Sequence, residues 1–370
     1  MYNHGIYVHI PFCKARCSYC AFSSCCDYSL QQPYFDKLFA EIEARSDKSV
    51  KISTIYLGGG TPSSVETKYL DELFDKLSQC FDLSAVVETT VECNPESVTE
   101  ELLTCLKRNN VNRLSFGLQS TNDATLERIV RIHRYSDFLR ALELSRKCGF
   151  DNLNADLILG LPEDVSDFYK SVQTVAKLPL THVSVYALEL HEQSPIYKLC
   201  KARYNYDDDT LADMYDYAVD VLAKNGFDRY EISNFAKVGH ECKHNLNYWD
   251  EGRYFAFGAS ASGFIGDVRY TNPYDIKGYI STSIKKLLSA GDKLTQDDQA
   301  NEYAMLRLRL TDGVDIAEFR SRYNADFLTF FPNAERLAEQ GFIVLSGNRA
   351  YVPADKFYVV NSILSDLLNI

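Results

Sequence analysis

The chain of 370 residues has no apolar run long enough to cross a bilayer, and no basic, apolar leader segment opens it. It also has no excess of positive charge, because its net charge is -12. This disfavours the basic surface that non-specific nucleic-acid binding needs. No low-complexity tract or long linker interrupts the chain, and 46% of its residues are hydrophobic. We therefore expect a soluble, cytoplasmic protein with a large core and no nucleic-acid partner.

The 11 cysteines are an odd number, and only the first five of them lie close together. Cys80, Cys105, Cys148 and Cys200 are solitary in apolar or helical contexts, which is typical of small buried side chains. This distribution fits a reducing compartment better than a disulfide-bonded secreted domain. A second CxxC pair is missing as well, so the sequence does not supply the four ligands that structural zinc usually takes.

Strand-like and helix-like stretches alternate through the first half of the chain. The strand-like stretches cover residues 5–11, 51–60, 85–95, 112–120, 152–162 and 181–190. Six such units predict an α/β fold with a parallel sheet and right-handed crossovers, either an open doubly wound sheet or a partial (β/α)6 barrel of the TIM type. In both architectures, functional groups gather at the C-terminal ends of the strands.

The pattern of the sequence changes after about residue 207. We predict three parts: a barrel domain over residues 1–200, a connecting region over residues 201–290, and a smaller, mostly helical domain over residues 291–370. In the last part, helical stretches precede the hairpin-like FIVLSGNRAYV, an order similar to that of a winged helix. Acidic residues outnumber basic ones there, so a packing or lid role is favoured over DNA binding.

Three cysteines stand close together in CKARCSYC, directly after the first predicted strand: Cys13, Cys17 and Cys20. Thiolates are the usual ligands of a 4Fe–4S cluster. Three thiolates on four irons leave one iron with an open position for another ligand. A zinc site or a chance grouping is the alternative interpretation, and we assign no role to the neighbouring Cys25 and Cys26.

The CxxxCxxC spacing resembles the loop of the radical S-adenosylmethionine (SAM) superfamily. The resemblance implies a partial radical SAM barrel. It also implies a 4Fe–4S cluster on Cys13, Cys17 and Cys20, with SAM bound to the open iron through its amino and carboxylate groups. The glycine run GGGTP, which follows the second predicted strand, is similar to the superfamily loop that holds the amino end of SAM. Glycines permit such a close approach of backbone N–H groups.

A narrower resemblance comes from motifs that occur in order along most of the chain, from about Gly5 to the C-terminus. YVHIPFCKARCSYCAF, YLGGGTPS, VECNP, SFGLQS, RIHR, NADLILGLP and HNLNYW resemble the family of oxygen-independent coproporphyrinogen III oxidases and its heme-chaperone branch, HemW. The SAM contacts that the resemblance implies are Tyr7 at the methionyl region, Gly59, Gly60 and Thr61 at the amino end, Glu92 at a polar group, Gln119 and Arg131 near the ribose and carboxylate, Asp156 at a ribose hydroxyl, and Ala187 at the adenine. Arg131 as a surface charge and Ala187 as a packing residue remain alternatives.

Two departures favour the chaperone branch over the oxidases. The oxidase pattern has another cysteine two residues after the third ligand, where this chain has Phe22. The oxidases also carry an extension before the first strand, whereas here we expect that strand to begin at about Gly5.

The segment HNLNYW resembles the HNxxYW signature of the chaperones. Its His244 is a candidate axial ligand of heme iron, and Tyr248 and Trp249 are candidates for a flat aromatic wall. The alternative is that His244 hydrogen-bonds within the fold and that Trp249 belongs to the core. Cys242 and His240 are further candidate heme ligands, since heme also accepts thiolate. A zinc site on His240, Cys242 and His244 is disfavoured, because alternate residues on one strand rarely complete a tetrahedron alone.

The sequence therefore predicts a heme chaperone that binds a 4Fe–4S cluster, SAM and heme, and delivers heme to an acceptor hemoprotein, with respiratory hemoproteins as candidates. The resemblance alone implies a homodimer. Whether SAM is cleaved productively stays open. The alternatives are a coproporphyrinogen III dehydrogenase and a radical SAM enzyme with another substrate.

Overall fold

A computed structural model describes residues 4–190, 192 and 194–368 of the chain. Its strands are β1 (His4–Ile10), β2 (Asp47–Gly59), β3 (Phe81–Asp82), β4 (Glu88–Cys93), β5 (Arg113–Gln119), β6 (Asn152–Leu159), β7 (His182–Ala187), β8 (Asp228–Arg229), β9 (Asn234–Ala236), β10 (Arg253–Phe257), β11 (Ser262–Ile265), β12 (Val268–Thr271), β13 (Asp292–Lys293), β14 (Val314–Asp315), β15 (Val344–Ser346) and β16 (Arg349–Tyr351). Its α-helices are α1 (Gln31–Ala44), α2 (Thr67–Cys80), α3 (Glu100–Arg108), α4 (Asp123–Arg128), α5 (Tyr135–Lys147), α6 (Val165–Val175), α7 (Pro195–Arg203), α8 (Asp208–Lys224), α9 (Lys243–Trp249), α10 (Ile276–Ser281), α11 (Ile284–Ser289), α12 (Gln296–Arg307), α13 (Ile316–Tyr323), α14 (Phe327–Phe330), α15 (Asn333–Glu339) and α16 (Val360–Leu368).

The six predicted strands lie side by side and parallel, in the order β1, β2, β4, β5, β6 and β7. Helices connect them, so the predicted α/β fold with a partial (β/α)6 arrangement is confirmed. A seventh parallel strand, β10, pairs with the free edge of β1 and was not predicted. The antiparallel strands β11 to β13 follow beyond β10, and β9 and β8 extend the edge at β7. Strands from residues 201–290 thus enlarge the same sheet at both edges.

One face of the parallel strands packs against the helices. On β2, Ile55 and Leu57 are almost fully buried, and the helix α2 contributes Leu70, Leu73 and Leu77 from one side at helical spacing. Each such side chain contributes about 1.5–3 kcal/mol by leaving water. This apolar layer fixes the strands from outside, so that their opposite face is free to carry polar groups.

The inner face of the strands is lined by stacked layers of polar side chains. Residues two apart on a strand share a face, and the strand register pairs Gly5 with Thr54 and Tyr7 with Tyr56. The next strand places Glu88 beside Thr54 in the lowest of these layers. Layers of this kind, built from neighbouring strands, fill the interior of parallel barrels. Here the layers run from the N-terminal end of the parallel strands, which we call the foot of the barrel, to the C-terminal rim.

The last part of the chain is mostly helical, with the small antiparallel sheet β14-β16-β15. The predicted hairpin forms as β15 and β16, and the helix–helix–hairpin order is confirmed. Arg307 and Arg322 of this part form ion pairs with Asp250, which follows α9. Within the described part of the chain, no helix combines the length and the apolar composition that crossing a membrane requires.

Candidate functional site

The segment with three cysteines forms a loop directly after β1, and hydrogen bonds join its two ends. The Cys13 N–H donates to the carbonyl oxygen of Cys25 at 2.9 Å, and the Cys25 N–H donates to that of Pro11 at 2.7 Å. In the middle of the loop, the Ser18 N–H donates to the Ile129 carbonyl at 3.1 Å. The loop is therefore fixed at the C-terminal end of the first strand, at the rim where the sequence predicts the site.

The three predicted cluster ligands, Cys13, Cys17 and Cys20, are half-buried free thiols. Burial raises the pKa of Cys13 to about 11 and also raises the pKa of Cys20, so a bound metal would have to displace their protons. Among the described residues, no three His, Cys, Asp or Glu side chains are placed to hold a single metal ion. Three soft sulfurs on one short loop match the donor chemistry of an iron–sulfur cluster.

A chain of hydrogen bonds links two of these cysteines across the rim. The Thr61 hydroxyl donates to Cys13 Sγ at 3.4 Å, and Asn94 Nδ2 donates to Thr61 Oγ1 at 3.0 Å. Arg131 completes the chain, because its Nη2 donates to Asn94 Oδ1 at 2.7 Å and its Nη1 to Cys17 Sγ at 3.5 Å. Charge-assisted donors of this kind stabilise thiolates. The arrangement fits cysteines that become anionic when they bind iron.

Arg131 is directed into the site and is not a surface charge. Its Nε is buried and has no hydrogen-bond acceptor among the described residues, which suits a ligand carboxylate. Gly117 provides the space, since a Cβ there would meet Gln119 Nε2 at 2.9 Å and Arg131 Nη2 at 3.1 Å. Gln119 has a positive φ of 72° at the end of β5, and such strain is typical of functional sites.

The glycine run after β2 lies against β1 and the start of the cysteine loop. A Cβ on Gly60 would stand 2.6 Å from the backbone carbon of Pro11, and one on Gly59 would collide with the His9 ring. Gly59 also has a φ of 109°, which favours glycine. The Thr61 N–H donates to the Phe12 carbonyl oxygen at 2.9 Å. Only glycines permit this close approach, which brings the predicted amino-end contacts next to the cysteine loop.

Glu92 lies at the end of β4 and faces the barrel interior. Its Oε1 accepts from the Tyr56 hydroxyl at 2.8 Å, and its Oε2 accepts from the Gly59 N–H at 3.0 Å. Burial, with a contribution from the Asp156 carboxylate, raises the pKa of Glu92 to about 7 in spite of the Tyr56 hydroxyl, which lowers it. A cationic ligand group beside Glu92 would stabilise its charged form. This carboxylate is thus well suited to bind an ammonium group.

The other predicted SAM contacts lie on the same inner face or rim. The Tyr7 hydroxyl is hydrogen-bonded to His9 Nδ1 at 3.0 Å. Asp156 accepts from Asn154 Nδ2 at 2.7 Å, and burial raises its pKa. Ala187 is the last residue of β7 and is exposed. The roles assigned to these residues stay predictions.

His244 is buried at the foot of the barrel, with only 1% of its surface exposed. Its Nδ1 is hydrogen-bonded to Thr54 Oγ1 at 2.8 Å, and its Nε2 to the Tyr248 hydroxyl at 2.7 Å. Burial lowers the pKa of His244 to about 3, with a contribution from the Arg113 charge. Ligation of heme iron by His244 therefore stays a prediction, and it requires one of these two hydrogen bonds to break.

The expected strand through His240, Cys242 and His244 is wrong, because His244 lies in the helix α9 and Cys242 immediately precedes that helix. Glu88 explains the helix, because its carboxylate accepts hydrogen bonds from the backbone N–H groups of Lys243 and His244, both at 3.0 Å. These are N–H groups that a helix leaves without partners in its first turn. Cys242 lies just before the helix and is fully buried, with its Sγ 3.4 Å from a Glu88 oxygen.

Sequence reasoning gave no role to Tyr56 or Glu88, and it placed Asn94 at the end of the third predicted strand without assigning it a contact. Asn94 belongs to the quoted VECNP motif, whose position after a strand was the available signal. Tyr56 belongs to YLGGGTPS, and the alternation of residues along β2 indicates that it faces inward with Thr54. Glu88 had no local signal, since its partners lie 155 positions away in the sequence.

Comparisons with known proteins cover nearly the whole chain. A family model described as the Radical SAM superfamily matches residues 7–175, and the HemN C-terminal domain matches residues 294–354. A relative named heme chaperone HemW from Bacillus subtilis is 36% identical over 94% of this chain and 94% of its own. A protein of the same name from Lactococcus lactis is 33% identical over 99% of this chain and 97% of its own.

One solved structure extends the likeness to the whole fold. Coproporphyrinogen III oxidase (HemN) from Escherichia coli has a TM-score of 0.85 with this chain, covering 99% of it and 90% of the oxidase at 22% identity. At this identity the likeness shows the fold alone.

Proposed function

Because the chain belongs to the radical SAM superfamily and, within it, to the HemW family, we propose that it is a heme chaperone. In this proposal it binds a 4Fe–4S cluster, SAM and heme, and delivers heme to an acceptor hemoprotein. The main support is the near-full-length match to proteins named heme chaperone HemW. The fold alone would not separate a chaperone from an oxidase, since one fold serves many functions.

Cys13, Cys17 and Cys20 would hold the cluster, and the fourth iron would bind SAM. When bound and reduced, such a cluster supplies one-electron chemistry on SAM. The residues of this chain hold the ligand in place. Glu92 would bind its ammonium group, and Arg131 its carboxylate through the buried Nε that has no acceptor among the described residues. The remaining assigned contacts are Tyr7, Gly59, Gly60, Thr61, Gln119, Asp156 and Ala187.

Phe22 supports a role without decarboxylation. It occupies the position where the oxidase pattern has a further cysteine, and its side chain is 65% exposed next to the cluster loop. A phenylalanine supplies neither a proton nor a metal ligand there. The rim of this barrel thus lacks a group that the oxidase pattern carries, which favours the chaperone over the oxidase.

We propose that heme binds in a cleft of about 1080 Å³ beside α9. Three parts of the chain form it, with Val87 from the barrel, Lys243 and Leu246 from α9, and Leu310 from the C-terminal part. Ligand sites commonly lie between such units and measure about 300–1,000 Å³. The accessible Val87 and Leu246 suit a porphyrin ring, and the exposed Lys243 suits a propionate. A cytoplasmic location, a respiratory acceptor and a homodimer belong to the proposal on resemblance alone.

The test uses the full chain, reconstituted anaerobically with iron and sulfide. Heme is titrated while the absorption spectrum is recorded, and a second sample receives coproporphyrinogen III, SAM and a reductant. We expect saturable heme binding and no protoporphyrinogen beyond one equivalent per chain. Protoporphyrinogen formed over many turnovers would identify a coproporphyrinogen III dehydrogenase instead. Cleavage of SAM without heme affinity would point to a radical SAM enzyme with another substrate.

A further inference from the structure

The helix α9 lies at the foot of the barrel. The carboxylate of Glu88, which is buried below the proposed SAM pocket, holds the helix there. Glu88 is the first residue of β4 and accepts the Lys243 and His244 N–H groups. The buried Arg113 is near it, because Cys242 and the Glu88 carboxylate both raise the pKa of the Arg113 guanidinium against the lowering effect of burial. We call the segment from Cys242 to Trp249 the α9 plug. It is anchored to the strand that carries Glu92 at its other end.

The His244 ring of the α9 plug enters the lowest layer of the barrel interior. Gly5 leaves room for it, since a Cβ there would stand 3.1 Å from His244 Cε1. Thr54 and Tyr248 fix the ring through its two nitrogens. Because a neutral imidazole with both nitrogens bonded holds one orientation, the ring forms a rigid floor under the next layer.

The next layer of the barrel interior contains Tyr56, which contacts both the His244 ring below it and Glu92 above it. The rings of His244 and Tyr56 stack with centroids 5.2 Å apart and planes tilted by 27°. Tyr56 is also stacked with Tyr7 at 6.3 Å, and its hydroxyl donates to Glu92 Oε1. Glu88 and Glu92 are four residues apart on β4, about 13 Å at about 3.3 Å per residue. The two aromatic rings bridge the same span from foot to rim.

We propose that Tyr56 is a positioning residue for SAM, holding the Glu92 carboxylate in place with the His244 ring of the α9 plug as its support. This inference rests on the proposed binding of SAM. It gives the HNLNYW segment a role at the cofactor pocket that is separate from heme ligation. Tyr56 acts through Glu92 and does not itself contact SAM.

The predicted effect follows from the surroundings of Glu92. Besides Tyr56 and the Gly59 N–H, the titratable groups that face it are Asp156, Arg113, Tyr7, Cys93, Tyr186 and Tyr248. The Tyr56 hydroxyl lowers the pKa of Glu92, which burial raises to about 7. Without the hydroxyl, that pKa rises further, so the carboxylate is charged only at a higher pH. Binding of an ammonium group then requires a higher pH as well.

The experiment measures SAM affinity by equilibrium dialysis from pH 6 to 8.5 on anaerobically reconstituted Tyr56→Phe, which keeps both ring stacks. We expect the dissociation constant at pH 7 to rise about tenfold, the usual effect of losing one hydrogen bond to a charged group. The pH midpoint of binding should also move upward. Tyr69→Phe is the matched control, because Tyr69 is a buried residue whose hydroxyl donates to Gln32 Oε1 at 3.1 Å, away from the site. Its affinity and midpoint should equal those of the wild type.

The His244→Ala variant provides a second test, because it removes the ring that stacks on Tyr56 together with its hydrogen bonds to Thr54 and Tyr248. We expect weaker SAM binding, and the spectrum of bound heme, recorded on the same variant, tests the separate prediction that His244 is a heme ligand. If the wild type binds SAM and Tyr56→Phe has the same affinity and midpoint, the inference fails while the proposed function stands. A wild type with an intact cluster that binds no SAM would overturn both. A heme spectrum altered by His244→Ala, with SAM binding intact, would return His244 to the role of heme ligand.

Discussion

Replacing Cys17 with alanine should abolish the iron–sulfur cluster. Cys17 lies between Cys13 and Cys20 on a loop whose ends are joined by backbone hydrogen bonds, and its loss leaves only two of the three proposed ligands. The change also leaves Arg131 Nη1 without its sulfur acceptor. We expect iron and acid-labile sulfide to fall from about four each per chain to near zero, measured by elemental analysis after anaerobic reconstitution.

Cys148→Ala is the matched control for this substitution. Cys148 is a half-buried free thiol that follows α5, far from the loop in sequence, and its loss should leave the iron content unchanged. Retention of four irons in the Cys17 variant would show that this cysteine is not a ligand. The three-thiolate site would then be wrong, and the open iron that SAM requires would lose its basis.

The Glu88→Ala variant should lower the free energy of unfolding by about 2–5 kcal/mol, because it leaves two backbone N–H donors without their acceptor and each such loss costs about 1–3 kcal/mol. Glu88 is only 3% exposed. Its loss removes the acceptors of the Lys243 and His244 N–H groups and takes one negative charge from the surroundings of the buried Arg113. Denaturant titration of the apoprotein, followed by circular dichroism, measures this difference.

Glu43→Ala provides the comparison on the surface. The Glu43 side chain is 72% exposed and forms one long ion pair with Lys76 at 3.6 Å, so its removal should change the free energy of unfolding by less than about 0.5 kcal/mol. Equal stability of the two variants would mean that Glu88 does not anchor the α9 plug. The stacked rings of His244 and Tyr56 would then lack a fixed support at the foot of the barrel.

The sheet could be predicted from the sequence because its signals are local. Buried parallel strands and amphipathic helices each have their own spacing of apolar residues, and the six strands appear within a few residues of the expected ranges. The seventh parallel strand, β10, could not be predicted in this way. Its partner β1 lies about 250 residues earlier, and nothing in the Arg253–Phe257 segment identifies that partner.

The candidate site shows the same difference between local signals and long-range contacts. The cysteine loop and the GGGTP run are contiguous motifs, so sequence reasoning placed both at the strand ends where they occur. The hydrogen-bonded chain through Thr61, Asn94 and Arg131 joins three separate loops and depends on the folded barrel. The α9 plug was misread for the same reason, since the carboxylate that caps it belongs to a distant strand. The chemistry of single residues could be predicted from the sequence. The contacts between distant segments could not.

The most direct test of the account is heme transfer from the loaded protein to the apo form of a b-type cytochrome. The rate at which the heme absorption band of the acceptor appears is recorded at increasing acceptor concentration. A heme chaperone predicts a rate that rises with acceptor concentration, because transfer occurs in a complex of the two proteins. A rate that is independent of acceptor concentration would show that heme merely dissociates, and it would contradict the account.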